Sequence, residues 1–325
     1  MQNGFYQGLA SFVARQVRRL SRRLKGVREG TDPEDIHQAR VACRRLRASL
    51  RQLREVLPRE LTRGHKLRKL RRQIRTFAQA LGEARDLDVQ AGRFETLAAT
   101  ELPPEAKPAL DWIIRRLRFL RRDLQKQVSD AVDWLEDRTV LSRLTDWVNK
   151  LSRAQASQTE IEQVVSKSLE LIGQEVQEAQ SQANEALAQS NPESLHAFRI
   201  AVKRLRYTLE LWEEIAPKTF SDAISQCRQW QELLGTICDS TVGERLLQQL
   251  RSEKQGQKER QAAGSASEDK LAPGFHYVLL FCHREKQAAE EKLRALLREA
   301  EQKGFWTGLS KSLNLQTLLR QLTKQ

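Results

Sequence analysis

Apolar positions recur along this chain at intervals of three and four over long stretches, and strict alternation of apolar and polar residues is rare. Those stretches are rich in Leu, Ala, Arg, Gln and Glu and contain few β-branched runs, with only eight prolines in 325 residues. Periodicity and intrinsic propensity therefore agree on an all-α fold. The pattern predicts helices over about 4–28, 33–57, 60–81, 86–98, 104–136, 138–152, 158–189, 192–215, 219–235, 240–252 and 274–302, with a short piece near the C-terminus. The stretch 253-EKQGQKERQAAGSASEDKLAPG-274 has no apolar period and is rich in small and polar residues. It reads as a flexible loop.

The predicted helix over 33–57 carries two faces. Asp32 suits an N-cap, Pro33 suits the first helical position with its fixed φ, and Asp35 is placed to help cap. On a helical wheel with His37 at 0° and about 100° per residue, Arg40, Arg44, Arg47, Arg51 and Arg54 fall between about 260° and 360°. Ala39, Ala42, Cys43, Leu46, Leu50, Leu53 and Leu57 form the neighbouring apolar stripe, and Arg45 projects elsewhere.

The segment recurs. Residues 32–54 and 191–213 are identical at nine of 23 positions, and the second copy, opened by Asn191 and Pro192, places His196, Arg199, Lys203 and Arg206 on one stripe. Phe198, Val202, Leu205, Leu209 and Trp212 take its core side. A second echo links 81-LGEARDLDV-89 to 234-LGTICDSTV-242, matching Gly82 to Gly235 and Asp86 to Asp239, with Arg75 matched by Arg228 upstream. Generic helix bias does not reproduce a cap, a histidine and an arginine phase together, so the chain reads as an internal duplication of two helical bundles related by a pseudo-twofold. The expected halves are 1–155, strongly basic, and 156–310, containing the loop 253–274, followed by a tail over 311–325. The copies are unequal: Glu210 and Glu213 stand where the first copy has Arg51 and Arg54. A ligand track is expected to favour the N-terminal half.

Charge narrows the function. Lys and Arg number 56 against 42 Asp and Glu, a formal net charge of +14, which favours a polyanionic partner. Residues 1–130 hold 30 basic and 15 acidic side chains, whereas 131–325 hold 26 and 27. Further basic rows at helical spacing are Arg15, Arg18 and Arg22; His65, Arg68, Arg72 and Arg75; and Arg115, Arg118 and Arg122. The four cysteines show no C-x-x-C pairing and no apolar N-terminal run is present, so a reducing cytoplasm is the expected compartment, with no membrane contact. There is no G-x-x-x-x-G-K-[ST], H-E-x-x-H or G-x-S-x-G motif, and no metal or cofactor is expected. The chain does not read as an enzyme.

The pattern H-x-x-R-V-x-x-R-R-L-R, carried by His37, Arg40, Val41, Arg44, Arg45, Leu46 and Arg47, resembles the signature of the CHAD family (conserved histidine α-helical domain). His196, Arg199, Ile200, Lys203, Arg204, Leu205 and Arg206 resemble its second signature, and the L-G-x-x-R-D segment ending at Asp86 also fits. The likeness spans roughly 4–306. It implies two four-helix-bundle-like halves around a basic groove or pore that binds inorganic polyphosphate, often at polyphosphate granules. Some relatives carry a CYTH triphosphatase domain ahead of this one. No E-x-E-x-K motif occurs on a predicted strand, so the chain is expected to be a stand-alone module.

The expected polyphosphate ligands are His37, Arg40, Arg44, Arg45, Arg47, Arg51, His196, Arg199, Lys203, Arg204 and Arg206. Arg15, Arg18, Arg22, Arg68, Arg72, Arg75 and Arg228 are supporting cations, and Asp86 and Asp239 are expected to orient arginines. Arginine suits the task because its planar fork meets phosphate oxygens bidentately and stays charged. The stripe from His37 to Arg54 rises about 25 Å, enough to follow several phosphates. Whether divalent cations accompany the polyanion is open. Nucleic-acid binding is the competing reading, ranked second because Phe77, Trp112, Phe119, Phe198 and Trp212 fall at core positions rather than as stacking platforms. A protein-recruiting scaffold, using the acidic and Gln-rich helix near 158–189, is the third.

Overall fold

The structure is a computed structural model that describes residues 4–63, 66–189, 191–261 and 271–322. Fourteen helices and no strand occur among the described residues. They are α1 (Phe5–Glu29), α2 (Pro33–Val56), α3 (Arg59–Thr62), α4 (Leu67–Ala80), α5 (Gly82–Ala98), α6 (Ala106–Asp123) and α7 (Gln125–Asp137), followed by α8 (Val140–Arg153), α9 (Gln158–Gln189), α10 (Pro192–Trp212), α11 (Ser221–Gln261), α12 (Ala272–Gln302), α13 (Phe305–Ser312) and α14 (Leu315–Leu322). The all-α expectation holds.

Several boundaries differ from the periodicity. The helix expected over 104–136 is two helices, because its apolar stripe serves two cores: α6 buries Leu110, Ile113 and Leu117, and α7 buries Val128, Val132 and Leu135. At the break, the Leu124 N–H reaches the carbonyls of both Leu120 and Arg122, tightening the last turn. The expected breaks around 236–239 and from 253 onward do not occur, since α11 runs unbroken to Gln261. Gly235 weakens a helix by about 1 kcal/mol but does not stop it, and the residues after 252 are good helix formers although they lack an apolar stripe. The middle of that expected loop, 262–270, lies outside the described residues.

The chain forms two compact units. Unit 1 comprises residues 1–81, 127–232 and 294–325, and unit 2 comprises 82–126 and 233–293. This grouping differs from the sequential halves expected around 155, because each unit draws on both. The repeated segments follow the units instead: α2 and α10 both belong to unit 1, and the echo pair 81–89 and 234–242 lies, but for Leu81, at the start of the two stretches of unit 2.

In unit 1, α2 packs against α1, α4, α9 and α10, and α1 packs against α8. Ile36, Ala39, Cys43, Leu46, Leu50 and Leu53 form the buried face of α2, the stripe its wheel predicts. Its cap is also as expected, with Asp32 accepting the Glu34 N–H at 2.8 Å, and Asn191 does the same for the Ser194 N–H of α10 at 2.8 Å. Asp35 has a different task from capping. It accepts a 2.9 Å bond from Arg23 and lies so close to α1 that a Cβ at Gly26 would sit 1.8 Å from its carboxylate. Glycine at 26 is what lets the two helices approach. The apolar face of α9 is covered by α2, α10, α13 and α14, and its acidic and glutamine-rich face, with Glu162, Gln163, Glu170, Gln174 and Gln177, is exposed.

Unit 2 is built on α5 and α6 with the remaining parts of α11 and α12. Phe94, Leu110, Ile113, Leu117, Leu247, Phe275, Val278 and Cys282 form its core. Arg93 is anchored inside it by the Gln90 side chain, the Asp239 carbonyl, the Ser240 hydroxyl and Glu285, and Arg121 donates to Asp88 at 2.9 Å.

Candidate polyanion site

Net charge separates the units. Unit 1 carries 38 basic and 25 acidic side chains, a net +13, whereas unit 2 carries 18 and 17, a net +1. The field that suggested a polyanion belongs to unit 1.

Within it, α4 presents Arg68, Arg71, Arg72 and Arg75 at i, i+3, i+4 and i+7, which places them along one side of the helix. Its opposite face buries Leu67, Leu70, Ile74 and Phe77. Arg47 of α2 joins this row, and Lys66 and Lys69 complete the wall of a cleft of about 720 Å³. Among the described residues, every one lining the cleft is a cation and none is aromatic. Lys66 has left-handed backbone geometry (φ 49°) immediately before α4. A lysine held in that conformation costs stability, and such strain concentrates at functional positions.

The guanidiniums in the cleft feel one another. Burial pushes the Arg47 pKa down, and the neighbouring charges of Arg75 and Arg71 push it further. Arg71 is lowered by burial first and then by Arg54, Arg51 and Arg68, with Glu55 opposing. Both remain cations at neutral pH, so the folded protein holds unrelieved repulsion that a bound anion would offset.

The other expected ligands are placed differently. Arg40 donates to the Ala78 carbonyl at 2.5 Å, and the Arg44 Nε donates to the Tyr207 hydroxyl at 3.0 Å. Arg45 pairs with Glu210 at 2.9 Å, and Arg51 is bonded to Glu175. Arg206 lies over the Tyr207 ring, 4.8 Å from its centroid, and 3.7 Å from Glu210, which Arg228 also approaches at 3.8 Å. His37, Arg199 and Lys203 are half-buried on α2 and α10, whereas His196 and Arg204 are exposed. Of the supporting cations, Arg15 forms a two-bond pair with Glu214, and Arg18, Arg22, Arg68, Arg72 and Arg75 are exposed. His65 lies outside the described residues. Asp86 and Asp239 belong to unit 2, where the Asp239 backbone carbonyl accepts from Gln90 and Arg93.

Thus the structure brings Arg47, Arg68, Arg72 and Arg75 together and adds Lys66, Lys69 and Arg71, which the sequence reading passed over. The i+3 spacing from Arg68 to Arg71 was the available signal. The pairings of Glu175 with Arg51 and of Glu210 with Arg45 had none, because the partners lie 124 and 165 residues apart. Among the expected core aromatics, Phe77, Phe198 and Trp212 are buried and Trp112 is half-buried, but Phe119 is 45% exposed in unit 2. The Arg116 guanidinium covers its ring at 5.4 Å, a cation–π contact that accounts for a large ring at the surface. Among the described residues no helix is long and apolar enough to cross a membrane, and no group of three or more His, Cys, Asp or Glu could hold a metal ion.

Comparisons with known proteins agree with this architecture. The crystal structure of the CHAD domain from the plant Ricinus communis is similar at a TM-score of 0.64 with 23% identity, over 90% of this chain and 91% of that one. PptA from Streptomyces chartreusis is similar at a TM-score of 0.55 with 15% identity, over 91% of this chain and 99% of that one. At these identities the likeness is one of fold. No curated protein sequence matches the chain significantly. The family model for the CHAD domain matches residues 11–248, and with most of the sequence inside that match, the chain belongs to the CHAD family.

Proposed function

We propose that this protein binds inorganic polyphosphate, without catalysing its turnover, in the cation cleft of α2 and α4. The observation that carries the reading is a cleft whose described lining residues are seven cations with no carboxylate among them. Family membership supports it, since CHAD domains are known in polyphosphate-associated proteins. Five arginine forks offer bidentate contacts, and two lysines add point charges.

The absence of aromatic rings among the described lining residues favours this ligand over single-stranded nucleic acid, whose binders stack bases on exposed rings. Full engagement of the seven cations would give a salt slope of up to about −5 in log K against log salt, by analogy with single strands. The test is competition at physiological salt between long-chain polyphosphate and charge-matched single-stranded DNA. Polyphosphate should displace DNA from the cleft; DNA binding of equal or greater strength would overturn the proposal. We also place the protein in the cytoplasm at polyphosphate granules, which co-localisation of a fluorescent fusion with the granules tests. The internal duplication remains part of this reading, supported by the matching N-caps of α2 and α10.

A further inference from the structure

The dimensions of the cleft and the charges around it bear on how much polyanion it can hold. From Arg68 to Arg75 the cation row of α4 rises about 10.5 Å. A single nucleic-acid strand carries one charge per about 3.4 Å of duplex axis, and phosphates joined through one bridging oxygen are denser. The row therefore spans about four or five consecutive phosphates.

Beyond Arg47, α2 does not offer the continuous track its wheel suggests. One turn further, Arg51 is held by Glu175, whose other carboxylate oxygen accepts from Thr208. Two turns further, Glu55 lies 3.5 Å from Arg54. Arg51, Glu55, Glu175, Glu178 and Arg204 line a second pocket of about 280 Å³, in which three carboxylates outnumber two cations. In the other direction, Arg40 is bonded to Ala78 and Arg44 to Tyr207. A chain leaving the cleft along α2 therefore meets guanidiniums bonded to a carbonyl and a hydroxyl on one side and, on the other, the carboxylates of Glu55 and Glu178 beside arginines already paired with acids.

We infer that the cleft is an oligophosphate site of fixed length, and that Glu55 and Glu178 end its track by repelling a chain that runs past Arg47. Its occupant is a free linear oligophosphate of about four or five phosphates, or one such stretch of a longer chain. Repulsive elements of this kind set specificity by penalising the wrong ligand rather than strengthening the right one. The inference rests on the polyphosphate reading of the same cleft.

The test measures the salt dependence of binding for tripolyphosphate, a chain of about six phosphates and one of about sixty. The slope should steepen from three to six phosphates and then stay level, within about one unit, at sixty. Glu55→Gln with Glu178→Gln, both at exposed positions, should steepen the slope for the long chain by about one unit or more and leave tripolyphosphate unchanged. A wild-type slope that roughly doubles between six and sixty phosphates would overturn the fixed length. An unaltered slope in the double variant would overturn the role of the two acids. Failure of every chain to bind would instead remove the underlying polyphosphate reading.

Discussion

Glu210 of α10 and Arg45 of α2 are joined at 2.9 Å, with the carboxylate side chain 7% exposed and the guanidinium 20% exposed. Arg206 and Arg228 approach the same carboxylate at 3.7 and 3.8 Å. One buried acid therefore serves three cations. The residue that looked like a loss of ligand charge in the second copy is a structural counter-ion.

Removing that counter-ion should be costly. Glu210→Ala leaves Arg45 half-buried without its carboxylate, and breaking such a pair from one side costs about 3 kcal/mol or more, whereas replacing both partners by apolar residues can be nearly neutral. The urea midpoint of Glu210→Ala should fall sharply, and Arg45→Met with Glu210→Leu should recover most of the loss. A change under about 1 kcal/mol for Glu210→Ala would show that the pair is screened like a surface bridge.

Arg71 should show the opposite sign. Its pKa is lowered by burial and by neighbouring cations, so the charged form is disfavoured in the folded state relative to the unfolded one. That penalty is fully present below the folded pKa, hence at neutral pH, and would lift only on deprotonation at strongly alkaline pH. Arg71→Gln should raise the melting temperature of the ligand-free protein by roughly 1 °C, and added salt should shrink the difference. A lower melting temperature at every salt concentration would show that the Arg71 stem packs more than its charge repels.

Binding should depend on the cleft and not on total charge. Arg68→Glu with Arg75→Glu removes two cations of the row and should weaken polyphosphate binding by about 100-fold or more, given about 1.5–3 kcal/mol for each charge-assisted contact. Arg115→Glu with Arg122→Glu makes the same change in net charge on exposed positions of unit 2 and should cost less than about tenfold. Equal losses, measured by titration calorimetry, would mean a diffuse surface instead of a cleft.

The cysteines should separate by burial. Burial pushes the thiols of Cys43 and Cys227 up to about 12 and that of Cys282 up to about 11. At pH 8 these three stay protonated in the folded protein and present almost no thiolate. An aromatic disulfide reagent should label Cys238, which is half-buried, ahead of the others, and all four only after unfolding. Rapid labelling of Cys43 in the native state would show that α2 opens locally.

Much of this molecule is legible locally. The apolar stripe of α2, the Asp32 and Asn191 caps, the all-α class and the family signature are set by residues within one or two turns of each other, and helical geometry repeats over that range. Where the local signal misleads, a distant core or partner is responsible: the break at Leu124 follows a change of core, and Asp35 turns from capping to Arg23.

Which arginines are available to a ligand is a different kind of question. Arg40, Arg44, Arg47 and Arg51 are equivalent on the wheel, yet the folded chain gives Arg40 a carbonyl, Arg44 a tyrosine hydroxyl and Arg51 a carboxylate, and leaves Arg47 among other cations. Sequence determined the cation stripe because helical phase is local. Tertiary structure decided its use, because charge is neutralised by proximity in space, and the neutralising acids come from helices more than a hundred residues away.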